Sequence, residues 1–170
     1  MYRALIAFGG LIARMPERGV QGLAWILGAL FFVIPSKRRH IIYSNLHHAF
    51  PDCSRKWLKD TVWAISQRTA EMGLFTVACP QFSKKRFLNT LDVPESVETR
   101  FKALLDEGRP ILIFGIHYSM IEAFNAWPGK ASFPFPETAV MYRPHKNPEV
   151  DRMIKEHRER AGLRLVSRKE

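Results

Sequence analysis

Thr138-Ala139-Val140-Met141-Tyr142, a charged stretch from Glu149 to Ala161, and Leu163-Arg164-Leu165-Val166-Ser167 follow one another as strand, helix and strand. The two short runs are rich in residues that suit a pleated, half-buried surface, and Gly162 supplies a stop for the helix between them. That order supports an α/β architecture. A further apolar run, Ile111-Leu112-Ile113-Phe114-Gly115-Ile116, is short, β-branched and bounded by Gly108-Arg109-Pro110, and it reads as a buried strand. It ends on His117, which it places at a strand's C-terminal edge, where ligand sites in α/β sheets sit.

The first half of the chain is helical in pattern. A helix is expected over Ile41 to Phe50, closed by Pro51-Asp52. Ser54 then opens a long one, in which Leu58, Val62, Ile65, Thr69, Met72 and Thr76 recur at three-to-four spacing until Cys79-Pro80. Phe82 to Leu91 and Ser96 to Leu105 read as two more, the second stopped by Gly108. Trp57, Trp63, Phe75, Phe82 and Phe87 are core candidates. Trp127 to Pro136 is too interrupted by proline and glycine for regular structure. The expected fold is therefore α/β: a helix-rich N-terminal region followed by a partial mixed sheet flanked by helices. Two or three strands leave a sheet edge unpaired, so the chain is expected to be the front part of a longer domain.

His117 and Glu122 are the candidates for chemistry. Two residues five apart on one helix would diverge by about 140°. His117 is therefore expected in the loop and Glu122 on the helix that follows, with Ser119 as its N-cap and Glu122 at N3. A neutral imidazole oriented by a carboxylate is the usual general base for a hydroxyl nucleophile. Ser119-Met120-Ile121-Glu122 is equally a plain capping box, in which the carboxylate satisfies a backbone N–H. The six residues by themselves leave both readings open.

With 26 Lys+Arg against 16 Asp+Glu, the net charge of +10 calls for an anionic partner. Nucleic acid is disfavoured, because the cations are interleaved with acids from Glu149 to Glu159 and otherwise flank apolar N-terminal segments. Of these segments, Ala4 to Ala13 and Gly22 to Pro35, the second is about 20 Å long as a helix, against a hydrocarbon core of roughly 30 Å. Flanked by Arg14, Arg18 and Lys37-Arg38-Arg39, it is suited to dip into one leaflet with its cations at anionic head groups. A buried core helix is the alternative, and the positive flanks argue against it. Residues 1–36 are accordingly expected to form a membrane-associating region ahead of a domain over 37–170. Cys53 and Cys79 read as reduced thiols, and His47-His48 lacks a third ligand, so no metal is expected.

Several segments together resemble the bacterial lipid A biosynthesis acyltransferase family, the late lauroyl and myristoyl acyltransferases of the lysophospholipid-acyltransferase-like superfamily. They are Arg39 to Leu46 with Ala49-Phe50-Pro51, Gly108 to Ile113 leading into Gly115-Ile116-His117 and Glu122, Tyr142-Arg143-Pro144-His145-Lys146-Asn147-Pro148 with Asp151, and Arg158-Glu159-Arg160. The ordered set spans essentially the whole chain. The resemblance implies transfer of a fatty acyl group from acyl carrier protein to a hydroxyl of a lipid A precursor, at the cytoplasmic face of the bacterial inner membrane. It implies no cofactor beyond the acyl-carrier donor, His117 as general base, and Glu122 orienting it and stabilising the imidazolium. Arg143 and Asn147 are implied as an anion-binding segment, with Arg164 and Arg168 as further phosphate contacts. Position 118 is Tyr where the family more often has Phe. The family also continues past position 170 with an Asp-bearing motif, so a chain truncated there would be expected to be inactive. Sister activities on another glycolipid or on a lysophospholipid share the same pair and stay open, as does a non-catalytic basic membrane-binding fragment.

Overall fold

The computed structural model describes residues 2–115, 120–131 and 133–167. Two compact units form, Met1–Gln81 and Phe82–Glu170.

The first unit is helical throughout: α1 (Tyr2–Arg14), α2 (Glu17–Val33), α3 (Lys37–Ala49) and α4 (Arg55–Ala78), ending in a 3-10 turn at Cys79–Gln81. Ser54 caps α4 as expected, its hydroxyl accepting from Trp57 N at 3.1 Å. The buried line of α4 is Val62, Ser66, Ala70, Leu74 and Ala78. Its period is the expected one but its phase differs. Met72 is exposed, and Thr69 and Thr76 turn their hydroxyls onto the Ile65 and Met72 carbonyls of their own helix. Small side chains win the buried line because α1 and α2 lie close against it: a Cβ on Gly9 would come 2.1 Å from the Val77 carbonyl, and one on Gly28 would come 2.8 Å from Gln67 Cα. Phe75 is buried, while Trp63 makes edge contacts with Trp25 and Phe32.

α2 buries Ala24 and Gly28 and leaves Trp25, Ile26, Leu30, Phe31 and Val33 exposed, as is Ile34 just after it. No single described helix is long and apolar enough to cross a membrane; α2 and α3 pass that test together, but they meet at a bend of 82°. α3 begins four residues earlier than the sequence suggests, because Ser36 caps it by accepting from Arg39 N. Arg39 then turns back, donating to the Phe32 and Val33 carbonyls at 2.7 and 3.1 Å. It closes the C-terminal end of α2, where a cation also meets the negative pole of the helix. Of the three consecutive cations, Arg39 alone makes this contact with α2.

The second unit runs α5 (Lys84–Thr90), α6 (Glu95–Asp106), α7 (Ile121–Ala126), β1 (Thr138–Tyr142), α8 (Pro148–Arg160) and β2 (Leu163–Ser167). β1 and β2 pair in parallel, Thr138 opposite Leu163 and Tyr142 opposite Ser167. Parallel neighbours require a crossover, and α8 supplies it. Tyr142, Met153 and Leu163 are its buried core. Gly162 takes φ +83° at the end of α8 and Gly108 φ +67° after α6, conformations that L side chains rarely adopt. The helix-rich α/β class is the one expected, and the described sheet is this parallel pair.

One expected element is absent. Residues 111–115 form no strand, and Leu112 and Phe114 are 78% and 88% exposed. A strand needs hydrogen-bonding neighbours. β1 and β2 pair with each other and not with this run, so its β-branched composition finds no ladder to join.

Candidate active site

α7 is only six residues long, too short to persist without its neighbours. Aromatic packing holds its C-terminal end: Phe124 and Trp127 lie at 6.4 Å, and Trp127 meets Phe135 edge-on at 5.0 Å while Phe101 stacks on Phe135 at 5.1 Å. Its N-terminal end is held by charge. Arg158 of α8 donates from Nη2 to Glu122 Oε1 at 2.5 Å and from Nε to Oε2 at 3.5 Å, and Asn125 Nδ2 approaches Oε2 at 3.4 Å. The two charged side chains are 15% and 13% exposed. A two-pronged guanidinium contact fixes the carboxylate's plane as well as its position.

The helix starts at Ile121 with Met120 at the cap position, which puts Glu122 one residue nearer the N-terminus than the capping-box register requires. The pairing with Arg158, 36 residues further on, is what sequence spacing could not show. His117 and Ser119 lie outside the described residues.

The residue before Arg158 on α8, His157, is buried and has no hydrogen-bond partner for Nε2 among the described residues. Burial pushes its pKa below the ordinary 6.5 and Arg160 pushes the same way, against the opposing pull of Glu122 and Glu156. Burial thus disfavours the charged form of the ring.

The expected anion-binding residues are divided by the structure. Arg143 follows the last residue of β1, is exposed, and makes no hydrogen bond or ion pair among the described residues. Asn147 is the N-cap of α8: its Oδ1 accepts from Glu149 N at 3.0 Å and Val150 N at 3.3 Å, with Pro148 at the first helical position. The loop before it is closed by His145 N donating to Asp151 Oδ1 and Asn147 N donating to His145 Nδ1. Asn147→Ala should therefore cost about 1 kcal/mol of stability, seen as a lower urea midpoint; an unchanged midpoint would remove the capping role. Arg164 lies mid-strand, three register positions or about 10 Å from the Tyr142–Ser167 end, and pairs with Glu137 at 3.6 Å. It is not brought beside Arg143. Arg168 lies outside the described residues. No three side chains suited to a metal come together among the described residues.

A family model described as bacterial lipid A biosynthesis acyltransferase matches residues 2–170. The chain belongs to that family. Comparison with curated proteins and comparison with solved structures each returned no match. As a lipid A biosynthesis acyltransferase, the chain has acyl transfer as its activity class and a lipid A precursor as the acceptor its family indicates. Within this acyltransferase, the residues that sequence reasoning left without a role are Arg158 and His157. Arg158 stood in the Arg158-Glu159-Arg160 segment, so its presence was visible but its partner was not. His157 gave only the weak signal of a histidine four residues after Met153, on the same face of a charged helix.

Proposed function

We propose that this acyltransferase moves a fatty acyl group from acyl carrier protein to a hydroxyl of a lipid A precursor, with His117 as general base and Glu122 as the group that orients it. Glu122 carries this reading. A carboxylate five residues after His117 is held nearly buried and aimed by Arg158, an expensive arrangement for a surface cap but a useful one for a group that must steady an imidazolium. His117 takes the hydroxyl proton as the oxygen attacks the thioester carbonyl. The carbon–sulfur bond then breaks, and the proton passes from the imidazolium to the departing thiolate. Arg143, exposed at the end of β1, suits a phosphate of the acceptor through its planar donors.

The setting we propose is the cytoplasmic face of the bacterial inner membrane. Supporting it are the exposed Trp25, Ile26, Leu30 and Phe31 on α2 and the neighbouring Lys37 and Arg38. The same cations would attract an acidic carrier protein.

The test is an assay of the purified full chain with acyl-acyl carrier protein and a lipid A precursor in vesicles containing anionic lipid. Formation of the acyl ester, on protein that floats with the vesicles, is expected. Ester formation on a lysophospholipid in place of the lipid A precursor would replace this acceptor, and no ester on any acceptor would remove the reading.

A further inference from the structure

We propose that α2 lies in the plane of one leaflet of an anionic membrane: the stripe Ile26, Leu30 and Val33 enters the acyl chains, Lys37 and Arg38 meet lipid phosphates, and α4 stays on the water side. The inference rests on the membrane setting proposed above and adds how the chain sits there.

α2 has two distinct sides. Gly28 approaches α4 so closely that a Cβ on it would come 2.8 Å from Gln67 Cα. Trp25 and Phe32 each meet Trp63 of α4 edge-on, at 6.0 and 5.2 Å, and Gln67 Nε2 donates to the Trp25 carbonyl at 3.3 Å. Ile26, Leu30 and Val33, spaced four and three apart, share one stripe on the side opposite Gly28, and all three are exposed.

That packing favours lying flat over crossing. Asp60 and Arg68 of α4 fall within about one turn of Trp63 and Gln67, are largely exposed, and pair with Lys56 and Glu71. If α2 crossed the bilayer, α4 would be drawn into the hydrocarbon beside it with these ions, at high cost. α2 is also only about 26 Å long, against a hydrocarbon core of roughly 30 Å. Lying flat, its stripe sinks while α4 keeps its water.

Continuing into α3 does not supply a span. Pro35 has no N–H, and its ring would clash with a carbonyl one turn back, so the helix stops. Ile34 and Ser36 take extended backbone, and α3 departs at 82°. Arg39 fastens this elbow through the Phe32 and Val33 carbonyls, lying 5.7 Å from the Phe32 ring and 5.8 Å from the Tyr43 ring.

Charge complementarity selects an anionic leaflet. Arg18 at one end of α2 and Lys37 and Arg38 just past the other are exposed, which suits a helix whose two ends lie at the same surface. Lys37 and Arg38 stand in the first turn of α3, where no acidic residue accompanies them and they face the helix's own positive pole. Lipid phosphates offset that repulsion.

The experiment labels single cysteines, Glu17→Cys or His40→Cys, with a membrane-impermeant maleimide in a Cys53→Ser chain that keeps the buried Cys79. In bacteria expressing the chain, both sites should react in inside-out inner-membrane vesicles and neither in spheroplasts. The two positions flank α2, so one reacting on each side would overturn the proposal and leave the membrane setting in place. A chain recovered wholly outside the membrane fraction would remove both. Flotation of the purified full chain with phosphatidylcholine–phosphatidylglycerol vesicles is the second measurement. Leu30→Asp, and Lys37→Gln combined with Arg38→Gln, should each lower partitioning by about tenfold or more with unchanged circular dichroism. Partitioning within threefold of wild type in either variant would overturn the proposal.

Discussion

Glu122→Gln should lower acyl transfer by about two orders of magnitude or more while leaving the helical circular dichroism of the chain intact. The amide keeps an oxygen for Arg158 to donate to, so the α7–α8 contact survives. What goes is the negative charge that would stabilise a protonated His117. Removing it also leaves the Arg158 guanidinium, only 15% exposed, beside a neutral partner. A loss of roughly 1–3 kcal/mol in unfolding free energy should accompany the kinetic effect, because a buried charge has lost part of its compensation. The two readouts separate the roles. A drop in stability with full activity would make Glu122 a structural clasp for α7 and nothing more.

His117→Ala should be at least as damaging to turnover, about a hundredfold or more, with little effect on stability. Its expected contribution is to proton transfer, and the hydroxyl of an acceptor, with an ordinary pKa far above neutrality, is a poor nucleophile without a base. KM for the acyl donor should change little, since the imidazole acts on the acceptor's proton and not on donor binding. Turnover within threefold of wild type would take His117 out of the chemistry.

Much of the second unit was legible because its signals are local. Thr138–Tyr142 and Leu163–Ser167 form strands at the bounds their composition suggests, and Gly162 ends α8 with the positive φ that glycine tolerates. Ser54 likewise marks the start of α4. The errors are of other kinds. The run at 111–115 has strand composition, but strand formation is a property of neighbours, and those lie elsewhere in the chain. In α4 the period was readable and the phase was not, because close helix approach favours Ser66 and Ala70 over Ile65 and Met72.

The candidate site shows the same division between local and distant information. Asn147 followed by Pro148 and Glu149 is a helix-start signal visible in the sequence, and capping accounts for its side-chain oxygen without an anion. The Glu122–Arg158 pair had no such local trace. Two nearly buried opposite charges are nonetheless strongly destabilising when either is left alone. A sequence reading limited to His117 and Glu122 thus named Glu122 without Arg158, the partner that holds it.

The decisive measurement is a double-variant comparison of acyl transfer in His117→Ala, Glu122→Gln and the two combined, using acyl-acyl carrier protein and a lipid A precursor. If the two side chains act as one base, the combined variant should be about as slow as His117→Ala alone, because a carboxylate has nothing to steady once the imidazole is gone. Losses that multiply would contradict the account, by showing that Glu122 contributes to catalysis through something other than His117.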